Sequence, residues 1–270
     1  MARHRAPLTL RGRTVLLTGA TGGLGHAIAR RLAREGAQLV LTGRRAEVLE
    51  PLAAELGGRT VACDLADRDA VARLAAESSD VDVLVANAAL PASGEVASFS
   101  VEELDRALDV NLRAPIVLAH ALTPAMVARG AGHVVLMSSL SGKSGQGGTA
   151  IYSATKFGLR GFGQGLREDL HGTGVGVSLV FPGFIRDAGM FADAGTQLPP
   201  GVGTASPEEV ADAVLAGIRR DRAELDVAPA GLRIGTAIAG LAPQLAAAVT
   251  RRSGSARVAA EMAEAQRHLR

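Results

Sequence analysis

The chain has 270 residues, of which 47% are hydrophobic, and a formal net charge of +2, which is sufficient apolar content for one folded core. Lysine occurs only at positions 143 and 156, and the many arginines are scattered rather than clustered, so nucleic-acid binding is not expected. The single cysteine, Cys63, excludes an intrachain disulfide, and the dispersed histidines lack metal-ligand spacing. These features favour a cytoplasmic protein without a bound metal.

Short apolar segments alternate with longer segments of helical periodicity between residues 14 and 227. The apolar segments are TVLLT (14–18), QLVLT (38–42), RTVAC (59–63), VDVLVA (81–86), HVVLMS (133–138), GVSLVF (176–181) and AELDVA (223–228). Nearly continuous apolar strands separated by helices are typical of an α/β fold whose parallel sheet is covered on both faces. The pattern predicts a doubly wound parallel sheet of about seven strands in a single domain.

Two of the intervening helices have clear local signals. Leu24, Ile28 and Leu32 recur at helical spacing and mark one apolar face. Ser100 is followed three residues later by Glu103, which is the pattern of a capping box at a helix N-terminus.

Glycine and small residues follow the first predicted strand in TGATGGLG, at 18–25. Glycine at this position permits a tight turn and lets a pyrophosphate approach the backbone N–H groups of a helix N-terminus. The spacing is G-x-x-x-G-x-G rather than the general dinucleotide fingerprint, and a packing turn would also explain it. We interpret the segment as a Rossmann-like dinucleotide site. Its predicted residues are Gly19, Thr21, Gly22, Gly23, Leu24 and Gly25.

The residues after the second and third predicted strands bear on the choice of cofactor. NAD-selective folds place an acidic residue near the end of the second strand, whereas this chain has Gly43 and Arg44 there. A guanidinium can clamp a 2′-phosphate, so NADP(H) is predicted to be preferred over NAD(H); the alternative is that Arg44 only begins a solvated helix. Asp64, followed by Leu65, would either bind the adenine amino group or cap the next helix.

Residues 1–230 are predicted to form this dinucleotide-binding and catalytic domain. Residues 231–270 are predicted to form a helical extension, packed on the domain or at an oligomer interface. The N-terminal stretch lacks the apolar core of a signal peptide, so export by that route is not expected. The apolar run at 234–249 is shorter than the roughly 20 residues of a membrane span and contains Pro243.

The only tyrosine of the chain, Tyr152, precedes Lys156 by four residues in AIYSATKFGL. In a helix over about 150–170, the two side chains share one face. A phenol needs a nearby cation to exchange protons near neutral pH, and an ammonium can also hydrogen-bond ribose hydroxyls. Ser138 and Ser139 follow the fifth predicted strand, at the sheet edge where ligands bind. The alternative is a half-buried tyrosine beside a surface lysine.

Six short motifs, taken in order, resemble those of the short-chain dehydrogenase/reductase (SDR) family, in its short single-domain branch. They are TGATGGLG (18–25), NAA (87–89), DVNLRAP (109–115), SSLSG (138–142), YSATK (152–156) and FPGFIRD (181–187). The resemblance extends from about residue 12 to 227. It implies reversible hydride transfer between NADP(H) and a carbonyl or secondary-alcohol substrate.

The resemblance also implies a role for each matching residue. Tyr152 would be the general acid/base, and Lys156 would bind the nicotinamide ribose and lower the pKa of the tyrosine. Ser139 would orient the substrate, and Asn111 would hold a water that links Lys156 to solvent; otherwise Asn111 is a buried helix residue. The further implied contacts are Asn87, Ala88, Pro182, Gly183 and Ile185 at the cofactor, with Thr18 structural in the turn.

Two positions depart from the family pattern. Ala89 replaces the final glycine of N-A-G, which adds a methyl group near the cofactor. Asp187 stands where threonine is common and brings a charge, so the role of that threonine is not transferred to it.

These motifs do not specify the substrate. The segment at 187–206 corresponds to the mobile loop that covers the substrate in the family, and its Met190, Phe191 and Leu198 would either contact the substrate or anchor the loop. Lys143 is predicted to be a surface loop residue, or alternatively a cation at the mouth of the site.

The predicted substrate is a small-molecule carbonyl or alcohol. The chain is also predicted to form a homodimer or homotetramer. One alternative is a cofactor-binding regulator on the same fold, but such proteins can lose the tyrosine or lysine, and this chain has both. Another is a peripheral membrane enzyme that approaches lipid-like substrates through the run at 234–249. Aromatic residues do not flank the run at 234–249, which disfavours membrane contact.

Overall fold

The structure, a computed structural model, describes residues 8–198, 201–242, 244, 248 and 255–269. Within these residues, seven parallel strands form one sheet in the order β3-β2-β1-β4-β5-β6-β7. The strands are β1 Thr14–Thr18, β2 Gln38–Gly43, β3 Arg59–Ala62, β4 Val83–Ala86, β5 Gly132–Met137, β6 Val175–Pro182 and β7 Glu224–Val227. The predicted doubly wound α/β fold is confirmed, and each predicted strand overlaps an observed one.

Helices connect the strands and continue after the last of them. They are α1 Gly23–Arg34, α2 Ala46–Leu56, α3 Arg68–Ala76, α4 Val101–Leu108, α5 Ala114–Ala128, α6 Ala150–Asp169, α7 Met190–Ala194, α8 Pro207–Arg220, α9 Ala230–Leu241 and α10 Ser255–Ala265. The local signals act as predicted: Ile28 and Leu32 of α1 are fully buried, and Ser100 and Glu103 form a capping box at the start of α4.

Both faces of the sheet are covered by helices. Leu17 of β1 packs in one core with Leu32 of α1, whereas its neighbour Leu16 packs in a second core with Leu118 of α5. Successive residues of a strand point to opposite faces of the sheet, so adjacent leucines supply two separate cores. This explains why the central strands read as continuous apolar runs.

The strand order produces a crevice beside β1. From β1 the chain moves outward to β2 and β3, then returns to β4 on the other side of β1 and continues through β5, β6 and β7. The loops after β1 and β4 therefore diverge at the carboxyl edge of the sheet, which is where open α/β sheets bind ligands.

One helical stretch, Val101–Ala128, has the length and hydropathy of a membrane span, but half of its apolar window is buried. Its α5 portion packs against α3 and β5, as the core helix of a folded domain does.

The region after residue 230 continues as α9 and α10. α10 contacts α7, and α9 exposes Ile234, Ile238 and Leu241. The predicted apolar run at 234–249 begins within α9, whereas Pro243 lies outside the described residues.

Candidate active site

The carboxyl edge of the sheet opens into a cavity of about 860 Å³. The loops after β1 to β6 line it, together with residues of α6, α7 and α9 and of the C-terminal segment. Every residue predicted to bind the cofactor lines this cavity, as do Ser139, Tyr152 and Lys156. Asn111 is the only predicted catalytic residue outside its lining. Motifs that are far apart in the sequence therefore meet at one site.

The glycine-rich turn after β1 depends on residues without a side chain. Gly19 has φ +67°, and a Cβ atom there would lie 2.7 Å from Ala88 Cα. A Cβ atom at Gly25 would lie 2.2 Å from the Gly19 carbonyl oxygen. Gly22, the N-cap of α1, supplies no side-chain cap, and the first turn of α1 has no acidic residue. The backbone N–H groups at the N-terminus of α1 therefore border the cavity without a side-chain cap.

Thr18 and Asn87 brace the two sides of the crevice. Thr18 Oγ1 accepts hydrogen bonds from the backbone N–H groups of Asn87 at 3.0 Å and Ala88 at 3.1 Å. Asn87 Nδ2 donates to the backbone oxygens of Thr18 at 3.1 Å and Gly19 at 3.3 Å. These bonds tie the end of β4 to the end of β1. Ala89, the first departure from the family pattern, also lines the cavity.

The wall beyond β2 contains two adjacent arginines with different environments. Arg45 Nη2 donates to the Thr21 carbonyl at 2.8 Å and so supports the glycine-rich turn. Arg44 is exposed, lines the cavity and forms no ion pair with any described residue. The hydroxyl of Thr42, in the same wall, is buried without a hydrogen-bond partner among the described residues. Arg44 and Thr42 therefore retain unused hydrogen-bonding capacity at this end of the cavity.

Asp64 lines the cavity, but it does not cap the following helix. The N-cap of α3 is Asp67, whose side chain accepts from the backbone N–H groups of Asp69 and Ala70. The helix-cap alternative for Asp64 is therefore wrong. Asp64 Oδ1 instead accepts from Ala66 N–H at 3.0 Å, and Oδ2 lies 3.4 Å from Arg106 Nη2, also in the cavity wall.

Tyr152 and Lys156 lie one turn apart on α6, with Lys156 Nζ 5.5 Å from the centre of the tyrosine ring. Of the two serines after β5, Ser139 interacts with the Tyr152 side chain in a way that lowers the pKa of the phenol. Its Oγ also donates to the Pro182 carbonyl at 3.4 Å and accepts from Ser141 N–H at 3.1 Å. Ser138 is buried, and its Oγ donates to the Lys156 backbone carbonyl at 3.0 Å. Only Ser139 is therefore placed to act together with the phenol.

Burial controls the protonation of the tyrosine and lysine. It raises the pKa of the Tyr152 phenol to about 12, and the interaction with the Ser139 side chain offsets only part of this rise. It lowers the pKa of the Lys156 ammonium to about 8. Lys156 is not among the causes of the Tyr152 shift, and its Nζ donates to the Met137 carbonyl at 2.9 Å. The lowering of the Tyr152 pKa by Lys156 stays a prediction. At pH 7 the phenol keeps its proton.

Asn111 is fully buried within a π-helical turn, Asp109–Arg113, between α4 and α5. Its Oδ1 accepts from Leu90 N–H at 2.6 Å, and its Nδ2 donates to the Leu90 carbonyl at 2.9 Å. Leu90 lines the cavity, so the Asn111 side chain positions part of the cavity wall from behind.

The segment after β6 contributes Pro182, Gly183 and Ile185 to the cavity. Asp187 differs from these three residues in its surroundings. Its φ is +66°, its side chain is exposed, and its Oδ2 lies 3.5 Å from Arg186 Nε. Asp187 is not part of the cavity lining. The charge that distinguishes it from the threonine of the family therefore stays outside the site.

The loop after Asp187 covers one side of the cavity with apolar groups. Met190, Phe191 and Leu198 all line the cavity. Phe191 also packs against Phe184, with ring centres 5.1 Å apart. Phe191 therefore anchors the loop and also lines the cavity, and its contact with a substrate stays a prediction.

Lys143 is neither a surface residue nor a cation at the mouth of the cavity, so both predictions for it are wrong. Its side chain is 15% exposed, and Nζ lies 2.5 Å from Asp226 Oδ1 and 2.9 Å from Glu224 Oε2. Nζ also lies 4.0 Å from the centre of the Phe181 ring. Lys143 thus joins two partly buried carboxylates beside an aromatic ring, which is a structural role.

Four residues near the C-terminus also line the cavity, although no pattern in the sequence indicated them. They are Leu232 and Thr236 of α9, and Met262 and Gln266 of the C-terminal segment. The two residues of each pair are four positions apart, so their side chains lie on the same face of a helix. No glycine, charge or catalytic motif marks these positions, which is why spacing alone did not reveal them.

Comparisons with known proteins agree with this geometry. A family model described as short chain dehydrogenase matches residues 13–198. The chain is 36% identical over 228 residues to the ketoacyl reductase HetN of Nostoc sp., covering 81% of this chain and 79% of that protein. It is 41% identical over 178 residues to the NADP-dependent 3-hydroxy acid dehydrogenase YdfG of Salmonella typhi, covering 63% and 72% of the two chains.

A solved structure gives the same result. The short-chain dehydrogenase from Sphingobium yanoikuyae in complex with NADPH superposes with a TM-score of 0.73 at 31% identity, covering 86% of this chain and 96% of that one. The fold and site thus define an oxidoreductase with a Rossmann-like sheet. The chain belongs to the short-chain dehydrogenase/reductase family, whose members act on small-molecule substrates.

Proposed function

We propose that this protein transfers hydride reversibly between NADP(H) and a carbonyl or secondary-alcohol substrate, with Tyr152 as the general acid/base. The observation that carries the proposal is the meeting of Ser139, Tyr152 and Lys156 in the same cavity as the uncapped N-terminus of α1. One end of the cavity thus offers an anion site, and the other offers a proton donor.

The described residues fit a dinucleotide. The glycine-rich turn provides close backbone approach for a pyrophosphate, and the buried, unpaired Thr42 hydroxyl and the free Arg44 guanidinium lie at the end of β2. Arg44 is proposed to bind a 2′-phosphate, and Lys156 to bind the nicotinamide ribose. When bound, NADP(H) supplies hydride to the carbonyl carbon or accepts it from the alcohol carbon.

The protein side chains are proposed to handle the proton. The Ser139 hydroxyl orients the substrate oxygen, and the Tyr152 hydroxyl donates a proton to that oxygen during reduction. Because burial holds the Tyr152 pKa near 12, the phenol is in the protonated form that reduction requires throughout the neutral range. Alcohol oxidation requires the opposite transfer, which the Lys156 charge favours by stabilising a phenolate.

Asn111 is proposed to hold a water through its backbone carbonyl rather than its side chain. The side chain is already bonded to both backbone groups of Leu90. The residue four positions after Asn111 is Pro115, which has no N–H, so the carbonyl lacks its usual α-helical donor. This backbone oxygen supports the water link from Lys156 to solvent that the family resemblance implies.

Arg44→Ala is expected to raise KM for NADPH by about 10- to 100-fold and to leave KM for NADH nearly unchanged, because only NADPH has the 2′-phosphate. Steady-state kinetics with both cofactors measure the change. Arg34→Ala, at an exposed position of α1, is the matched control and should alter neither value. An equal rise for both cofactors would contradict the proposed phosphate contact.

The substrate class is proposed to be 3-oxoacyl compounds and the corresponding 3-hydroxy compounds. The names of HetN and YdfG support this choice, and so do the apolar side chains that the covering loop contributes to the cavity. NADPH consumption with 3-oxoacyl thioesters, simple ketones and aldehydes tests the proposal. Turnover of none of these compounds would contradict it.

We further propose a homodimer or homotetramer, since α9 exposes the apolar stripe Ile234, Ile238 and Leu241.

A further inference from the structure

The C-terminal wall of the cavity carries a polar group that the proposed hydride transfer does not use. Gln266 directly follows α10, and its backbone N–H donates to the Met262 carbonyl at 3.0 Å. Both side chains are on one helical face and line the cavity. They lie beyond residues 13–198, the part of the chain that matches the family. The shared family features therefore do not account for them.

The two polar atoms of the Gln266 side chain have different environments. The residue is 2% exposed, and its Nε2 donates to the Met190 carbonyl at 2.7 Å. Its Oε1 is buried and accepts no hydrogen bond from any described residue. A buried acceptor without a donor is energetically costly, so such an atom indicates a partner supplied from outside the chain.

The bond to Met190 connects Gln266 to the covering loop. Met190 is the first residue of α7, a single short helix between Gly189 and Gly195, whose φ angles are +81° and +62°. Met190 itself lines the cavity, as do Met262 and Leu232. Gln266 thus holds the loop with one atom and leaves the other atom unpaired in a mainly apolar wall.

The other polar residues contributed by α7 and α9 to the lining are Asp193 and Thr236. Asp193 is exposed, and Thr236 is partly exposed. Water can therefore satisfy these two side chains, whereas Gln266 Oε1 is covered in the present position of the loop. Among these groups, Gln266 is the one whose hydrogen bonding is incomplete.

We propose that Gln266 is a substrate-specificity residue: a shift of the covering loop at Met190 uncovers its Oε1, which then accepts a hydrogen bond from an amide N–H or a hydroxyl group on the substrate chain, remote from the reacting carbonyl. The proposal rests on the proposed function and specifies its substrate further. A donor is required because a side-chain amide oxygen can only accept. Since Nε2 is already bonded to Met190, substrate recognition and the position of the covering loop are coupled.

The test uses substrate pairs that differ only in the hydrogen-bond donor. One pair is a 3-oxoacyl N-acetylcysteamine thioester, which has an amide N–H, and its N-methyl counterpart, which has none. A second pair is a medium-chain ketone with and without a terminal hydroxyl, which separates hydroxyl recognition from amide recognition. Rates are measured with NADPH, and calorimetry gives Kd for the corresponding alcohols without turnover.

The wild-type protein should prefer the donor-bearing member of at least one pair by roughly fivefold to tenfold in kcat/KM and in Kd. Gln266→Met, which keeps the length and removes the acceptor, should bring that ratio close to one through the KM of the donor-bearing compound. Its Kd for NADPH should stay unchanged, and its melting temperature should fall by only a few degrees, because the bond from Nε2 to the Met190 carbonyl is lost as well. Glu264→Gln, at an exposed position of α10, is the control and should keep the wild-type ratio.

An unchanged preference in Gln266→Met would overturn the proposal, and so would an equal loss for both members of each pair, which indicates only a structural role for the side chain. Absence of any NADPH-dependent turnover by the wild-type protein contradicts the proposed function instead. In that case the calorimetric ratios still decide whether Gln266 recognises the donor.

Discussion

Tyr152→Phe is expected to lower kcat for NADPH-dependent carbonyl reduction by about 10²- to 10⁴-fold, the usual contribution of a positioned proton donor. The substitution keeps the aromatic ring and removes only the hydroxyl, which is the proposed proton donor. NADPH binding should change little, because the backbone of the glycine-rich turn and Arg44 are untouched. Initial rates and a fluorescence titration with NADPH measure the two quantities separately.

The control for this prediction is Ser153→Ala. Ser153 follows Tyr152 on α6 but is buried away from the cavity, with its Oγ 3.1 Å from Thr149 Oγ1. Its removal should leave kcat within about twofold, since one neutral hydrogen bond remote from the reacting atoms has a modest effect. If Tyr152→Phe retained more than about a tenth of the wild-type kcat, Tyr152 would not be the general acid.

Lys156→Met is expected to inactivate the enzyme and, at pH 7, to raise its free energy of unfolding. Burial lowers the pKa of Lys156 from 10.5 to about 8, so the folded protein holds an unfavourable buried charge at neutral pH. This shift in the Lys156 pKa corresponds to a loss of about 3 kcal/mol in the free energy of unfolding at neutral pH. Part of the gain in the variant is offset because the Met137 carbonyl loses its donor, which leaves a net stabilisation of about 1–2 kcal/mol.

The pH dependence of this effect has a definite sign. Between the folded pKa near 8 and the unfolded value of 10.5, the folded wild-type protein binds fewer protons than the unfolded chain. Its stability relative to Lys156→Met therefore rises with pH across that window, and the advantage of the variant shrinks. Denaturant unfolding of both proteins at pH 7 and about pH 9.5 measures the change.

The same substitution at the other lysine provides a matched control with the opposite expected sign. Lys143→Met should destabilise the protein by about 1–3 kcal/mol, because it leaves Asp226 without its close cation and Glu224 with only Arg160. If both variants lost stability at pH 7, burial of a charged Lys156 would not be the cost inferred from the structure.

The sequence predicted features that local pattern determines. Strand positions followed from apolar runs, because strands buried on both faces must be continuously apolar. The turn at 18–25 was predictable because Gly19 and Gly25 stand where any side chain would clash with backbone atoms. Tyr152 and Lys156 were predictable as a pair because helical spacing places them on one face.

Other features depend on tertiary packing and were not predictable in this way. Asp64 and Asp67 both follow β3, and only the backbone path decides that Asp67 caps α3. Lys143 is bound by carboxylates of β7 that are far away in sequence. The high Tyr152 pKa arises from burial, and Gln266 reaches the cavity only because the C-terminal segment returns to the covering loop.

The most direct test of hydride transfer with Tyr152 as proton donor uses NADPH deuterated at the transferring carbon of the nicotinamide. During reduction of a 3-oxoacyl thioester, mass spectrometry should find one deuterium on the new alcohol carbon for each NADPH consumed. Tyr152→Phe should bind the cofactor and form almost no product. NADPH consumption without deuterium in the product, or equal product formation by Tyr152→Phe, would contradict the account.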